Sequence, residues 1–297
     1  MRKNWRALAH VGSILLAVML ILARCRPKAL VFDGKTAFDG QKAYEHVVAQ
    51  CAFGPRPVGS EGGRQTAGYI STTLEKLGWT VQIQEFTYRG VAGRNVIASR
   101  GKGTLVMLGA HYDTRSIADR DIIDPTQPVP GANDGASGVA VLLELARTLD
   151  VDNGMHEVWL AFFDAEDQGN INGWPFSVGA SYMAEHLAAK PEAVVVVDMV
   201  GDQDQQLPWE ANSNRDLQRT LWAIAADLGY EDYFIPRLGH PIIDDHLPFS
   251  QKQIVAVDII DIDYPYWHTT EDTPDKVSSE SLQRVGRVLE NWLEKQQ

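Results

Sequence analysis

Apolar positions along the chain alternate between short continuous runs and longer stretches of helical spacing. Val158-Trp-Leu-Ala-Phe-Phe163 is apolar on both faces, which predicts a strand buried between two layers of helices. Further strands are expected over 80–88, 95–99, 104–109, 193–197 and 254–260. Helical spacing covers 39–51, 61–77, 139–149, 177–189, 214–228 and 278–294, with Ser60 as a cap and Gly78 as a stop for the second of these. The segment 115–130 is polar and proline-bearing and reads as a surface loop, and 244–249 as a loop entering a helix turn. Strands alternating with helices predict an α/β protein, a three-layer α/β/α sandwich with a mixed, mostly parallel central sheet. No internal repeat or linker interrupts 39–297, so one catalytic domain is expected there.

The amino-terminal residues differ in kind. Arg2, Lys3 and Arg6 precede an apolar run over 7–23, and Arg24, Arg26 and Lys28 follow it. Residues 1–25 are therefore expected to be an N-terminal signal anchor, or alternatively a cleaved signal peptide, with 26–38 as a connector. Either reading makes the protein extracytoplasmic, membrane-anchored or secreted. The cysteines are Cys25 and Cys51, and their spacing neither requires nor forbids a disulfide. A formal net charge of −12 argues against nucleic acid as a partner.

Chemistry gathers where the apolar runs end. The central run leads into Glu166 and Asp167, the run 193–197 into Asp198, and the run 104–109 toward His111 and Asp113. Open α/β sheets carry their sites at the carboxyl ends of strands. Asp134 at the start of a helix and His268 after the last strand complete a set of imidazole and carboxylate groups that suits zinc. Asp113, two residues from His111, is placed to accept the second imidazole N–H, and Asp272 could do the same for His268. Singly, each has an ordinary explanation; Asp134 alone could be a helix cap. Their repetition at strand ends is what points to a site.

Five motifs carry a family resemblance: His111-x-Asp113, Gly131-Ala-Asn-Asp134-Gly-Ala-Ser-Gly138, Phe163-Asp-Ala-Glu166-Asp167-x-Gly169, Asp198-Met-Val-Gly201 and His268-Thr-x-x-Asp272. Together they resemble the zinc aminopeptidases of peptidase family M28 and the glutaminyl cyclases that share their fold. Gly54-Pro-Arg-x-x-Gly-Ser60 and Arg94-Asn-Val-Ile-Ala-Ser99 fit the same kinship. The resemblance implies that Asp134, Asp167 and His268 hold zinc and that Glu166 transfers protons. It implies a second metal position, or supporting roles, for His111, Asp198 and Asp113. Asp167 departs from the pattern, because the family carries Glu beside its general base.

The same resemblance separates two reactions. An aminopeptidase hydrolyses the N-terminal residue of a peptide with two zinc ions, whereas a glutaminyl cyclase uses one zinc to convert N-terminal Gln to pyroglutamate with release of ammonia. Trp267 before His268, Trp174 in the loop after the acid pair, and Asp244-Asp245-His246-x-Pro-Phe249 resemble the cyclases. By that likeness Glu166, Asp198 and Asp244 are the catalytic acids, and Trp174 and Trp267 line the substrate pocket. Glu271-Asp-Thr-Pro-Asp275 and Gly169 lean toward the peptidases. The expectation is a glutaminyl-peptide cyclotransferase acting on a peptide or protein N-terminus, with an M28 aminopeptidase as the alternative and an inactive extracytoplasmic binding domain behind both.

Overall fold

The computed structural model describes residues 37–294. The expected signal segment, most of the connector and Cys25 lie outside them. Cys51 is a free, half-buried thiol. Among the described residues no helix is long and apolar enough to cross a membrane.

The elements in order are α1 (Gly40–Cys51), α2 (Glu61–Lys76), β1 (Thr80–Tyr88), β2 (Val91–Gly101), β3 (Thr104–His111), α3 (Ala136–Thr148), β4 (His156–Phe163), α4 (Val178–Glu185), β5 (Ala193–Asp198), β6 (Leu207–Trp209), α5 (Arg215–Asp227), β7 (Phe234–Leu238), α6 (His246–Gln251), β8 (Val255–Ile260), a short 3-10 turn (Pro274–Lys276) and α7 (Ser279–Glu294). Local chemistry sets several boundaries. The Asp39 carboxylate accepts the N–H groups of Gln41 and Lys42 at the start of α1, and Ser60 Oγ accepts from Gly63 at the start of α2. Gly78, at φ +82°, takes the left-handed conformation that ends α2.

Six strands form one sheet in the order β1-β2-β4-β3-β5-β8. The pairs β1–β2 and β2–β4 are antiparallel, and β4–β3, β3–β5 and β5–β8 are parallel. Side chains of β3 alternate between two cores, as a pleated strand covered on both faces requires. Val106, Leu108 and Ala110 pack among α1, α2, α3, α5 and α7, while Met107 packs toward α4 and α6 with Phe163 and Phe249. The architecture is the expected three-layer sandwich with a mixed sheet.

Two elements were not predicted. β6 and β7 pair as a separate two-stranded sheet, and each carries a proline, Pro208 and Pro236, which masks strand character in sequence. Phe38, placed in the connector, is a core residue 3% exposed, and its ring fills the space above Gly286 of α7.

The topology also places the site. β3 has β4 on one side and β5 on the other, so the chain reverses its direction of growth about β3. A crevice opens at the carboxyl ends of the strands at such a point.

Candidate metal centre and active-site cleft

β3 ends in His111, β4 runs out to Glu166 and Asp167, and β5 ends in Asp198. Asp134 comes from the turn before α3, and His268 from the loop after β8. These six residues, all buried, converge at the rim. His111 Nε2 lies 3.1 Å from Asp134 Oδ1 and 3.0 Å from Asp198 Oδ1. His268 Nε2 lies 3.1 Å from Asp167 Oδ1 and 3.8 Å from Asp134 Oδ2. Two triads with cation-binding spacing result, His111/Asp134/Asp198 and Asp134/Asp167/His268, and Asp134 is common to both.

Side-chain carboxylates that accept backbone N–H groups hold this arrangement. Asp113 accepts the N–H groups of Glu166 (3.0 Å) and Asp167 (3.2 Å), and its Oδ1 lies 3.5 Å from His111 Nδ1. Asp272 accepts the N–H groups of Asn133 (2.9 Å) and Asp134 (3.1 Å) and the Tyr264 hydroxyl (2.7 Å). Asp272 therefore supports Asp134, not the imidazole of His268, which was its expected partner. The acid facing His268 Nδ1 is Asp119, at 3.4 Å.

The glycines of the Gly131–Gly138 motif are explained by close approach. A Cβ on Gly135 would meet the His111 ring at 2.5 Å, and one on Gly138 would meet the Val197 carbonyl oxygen at 2.2 Å. Asp134 is not a helix cap, because α3 has no side-chain cap and Gly135 occupies that position. Ala165, Met199 and His268 all have left-handed backbones, at φ +60°, +46° and +60°. Each costs about 1–3 kcal/mol, and such strain gathers where side chains must be aimed.

Buried negative charge is in excess here. Burial pushes the Glu166 carboxyl well above its usual range, with Asp244, Asp245 and Asp167 adding to the shift. Burial, with nearby acids, also lifts Asp198 to about 7 and Asp167 to about 6. For His111, burial opposes the charged ring, but Asp198, Asp113 and Asp134 outweigh it and raise its pKa well above normal. Asp134 moves the other way: burial alone would raise it, and His111, His268 and Arg115 bring it down. Asp134 Oδ2 and Asp167 Oδ2 are buried and make no hydrogen bond among the described residues. Buried oxygens left without partners, beside imidazoles and with no thiolate, fit a divalent cation of zinc's ligand preference.

Above the triads lies a cleft of about 250 Å³. Glu166, Asp167, Asp198, Asp244 and His268 line its acidic floor, and Phe176, Ile242, Ile243, Ile262 and Trp267 its apolar walls. Trp267 is placed as expected. Trp174 is not in the lining: it packs edge-on against Tyr88, with ring centroids 4.9 Å apart, and Phe176 supplies that wall. The substitution follows from the turn in which Asn170 N–H donates to the Trp174 carbonyl, which carries the chain out and returns it at Phe176.

Sequence reasoning also missed Arg115 and Glu210, and gave His246 only as part of the Asp244–Phe249 motif. Glu210 is 2% exposed and accepts Asn212 N (2.9 Å), Ile242 N (2.8 Å) and Ser213 Oγ (2.7 Å), with His246 Nε2 at 3.2 Å. It ties the Ile242 wall to the helix turn that follows Asp244 and Asp245. Only the spatial fold brings these groups together, so no local signal marks Glu210.

The fold and the paired triads define a class, the metal-dependent α/β enzymes whose site sits at a sheet switch point. Residues 95–293 match peptidase family M28, and the chain belongs to that family. A glutaminyl cyclase structure from Bacteroides thetaiotaomicron, bound to N-acetylhistamine, is 30% identical with a TM-score of 0.81, covering 87% of this chain and 98% of that one. A leucine aminopeptidase precursor from the same organism is also 30% identical, with a TM-score of 0.82 over 86% and 97% of the two chains. The glutaminyl-peptide cyclotransferase-like protein of Mus musculus is 26% identical over 80% of this chain and 71% of its own length. Overall similarity to the two bacterial structures is equal, so the choice of reaction rests on the site.

Proposed function

We propose that this protein is a zinc-dependent glutaminyl-peptide cyclotransferase, converting N-terminal Gln to pyroglutamate with release of ammonia. The observation that carries the reading is the cleft: about 250 Å³, apolar-walled, with Glu166 on its floor and Asp198 and Asp244 beside it. That volume suits one folded side chain better than an extended peptide, and apolar walls exclude the water that would compete with an internal amine. Asp134, Asp167 and His268 would hold the zinc ion, which supplies Lewis-acid polarisation of the side-chain carbonyl when bound.

The residues of the chain do the rest. Trp267, Phe176 and Ile242 hold the glutamine side chain folded so that its α-amine faces its own amide carbon. As the C–N bond to the α-amine forms, Glu166 takes a proton from that nitrogen. It then delivers the proton to the amide nitrogen, which leaves as ammonia. Burial keeps the Glu166 carboxyl well above the usual carboxylate range, so it holds a proton more readily than an exposed glutamate does. Asp244 favours the protonated form of Glu166, and Asp198, held by His111 at 3.0 Å, lines the same floor.

A second reading has its own observation. Two triads sharing Asp134 are the layout a two-metal aminopeptidase uses. In that reaction Glu166 would take a proton from water instead of from the substrate amine. The reactions separate in one assay, with Gln-β-naphthylamide and Leu-p-nitroanilide offered to the same preparation. Pyroglutamyl product from the first and no nitroaniline from the second supports the cyclase; nitroaniline without pyroglutamate sinks it.

A further inference from the structure

Residues 115–121 of the loop joining β3 to α3 lie outside both triads, yet they reach across to one of them. Arg115, 2% exposed, donates Nη1 to the Asp167 carbonyl and to Asp167 Oδ1, both at 3.3 Å. Its Nε and Nη2 grip Asp119 at 2.7 and 2.6 Å. Asp119 Oδ1 faces His268 Nδ1 at 3.4 Å, while Nε2 of the same ring sits 3.1 Å from Asp167 Oδ1. The four side chains close a ring around two of the three ligands. Arg120 follows: its N–H donates to the His268 carbonyl at 3.3 Å, and its guanidinium lies 3.8 Å from the Trp267 ring centroid. Asp121 then accepts the Thr270 N–H at 2.9 Å and the Thr270 hydroxyl.

Three consecutive residues of one loop thus hold Trp267, His268 and Thr270 of another. That support matters because His268, at φ +60°, is in a conformation its own segment does not favour. A ligating histidine also depends on the acceptor at its second nitrogen, which fixes the tautomer and aims the first. Asp119 fills that place for His268, and Arg115 holds both of its carboxylate oxygens in position.

We propose that Asp119 and Arg120 are positioning residues, Asp119 for the cation held by Asp134, Asp167 and His268, and Arg120 for the Trp267 wall that meets substrate. The inference rests on the metal-site reading above, and its Asp119 half does not depend on which reaction is catalysed. Asp119 is 40% exposed, so its replacement leaves the core untouched.

The test uses the full-length chain and zinc competition against a chromogenic chelator. Asp119→Asn is expected to weaken zinc binding about 10–100-fold with the thermal midpoint of the chelator-treated, metal-free protein unchanged. Arg120→Met keeps the aliphatic stem and loses the cation over Trp267; it is expected to raise KM several-fold with kcat and zinc affinity unchanged. Wild-type zinc affinity in Asp119→Asn overturns the proposal, as does a fall in its metal-free thermal midpoint, which would mark a merely structural residue. Unchanged KM in Arg120→Met overturns the second half. The competition needs no turnover, so a chain inactive on both substrates still decides the Asp119 question separately from the assigned reaction.

Discussion

His111 and His268 both face Asp134, at 3.1 and 3.8 Å, yet their surroundings differ in depth and in charge. His111 is 1% exposed and is backed by the wholly buried Asp113, with Asp198, Glu166 and Asp244 close by. No arginine joins that half among the described ion pairs, and burial pushes Asp198 and Glu166 toward their neutral forms. The His268 half is braced by Arg115 and by Asp119 at the surface. Under the proposed function the first half shares protons and the second holds the cation in place. That reading needs one working metal and a proton-transferring floor.

The largest effect should come from the proton-sharing half. Glu166→Gln keeps shape and removes the titrating group, and kcat should fall about 10²–10⁴-fold while zinc stays bound. Near-normal kcat in steady-state assays would show that another group moves the proton. The two histidines should then part company: His268→Ala should lose zinc by elemental analysis, whereas His111→Ala should retain one equivalent. Loss of all metal from His111→Ala, with retention in His268→Ala, would reverse the comparison.

The acids of the site give a pH dependence for the metal-free protein. Burial foremost, with neighbouring carboxylates adding to it, lifts Asp272 and Asp198 to about 7 and Asp167 to about 6, above the ordinary aspartate value of 3.8. A carboxyl whose folded pKa is raised favours the folded state fully below its unfolded pKa, and that contribution is lost as pH rises through the folded pKa. His111, also raised, works in the same direction. Chelator-treated protein should therefore melt at a lower temperature at pH 8 than at pH 5, and zinc should reduce the difference by neutralising Asp167. A metal-free midpoint that climbs with pH over this range would contradict the charge assignment. The smallest effect is expected outside the cleft: Trp174→Phe keeps an aromatic ring against Tyr88 and should leave kcat/KM within about twofold, the scale of an ordinary peripheral substitution.

How much of this the sequence carried depends on where each interaction is encoded. The central strands β3, β4 and β5 were legible because a strand covered on both faces must be almost continuously apolar, as Val158 to Phe163 is, whereas β1 showed itself through Val81, Ile83 and Phe86 as a half-buried strand. The short pair β6 and β7 was not, since Pro208 and Pro236 speak against strands while lying in a minor two-stranded sheet. The convergence of His111, Asp134, Asp167, Asp198 and His268 followed from strand-end placement. The supporting contacts were harder, because they join segments far apart in sequence: Asp119 looked like one more polar loop residue, and Asp272 looked like the partner of the histidine four residues before it. Asp272 instead reaches Asn133 and Asp134. Trp174 failed as a pocket residue for a local reason, a turn that points it at Tyr88 and leaves the cleft to Phe176.

The most direct test of the central claim is product analysis of zinc-loaded, full-length protein given Gln-β-naphthylamide and Leu-p-nitroanilide in parallel, with bound zinc counted in the same sample. The account predicts pyroglutamyl-β-naphthylamide and ammonia in equal amounts, no nitroaniline, and one zinc per chain. Nitroaniline release with two zinc ions and no pyroglutamyl product would contradict it.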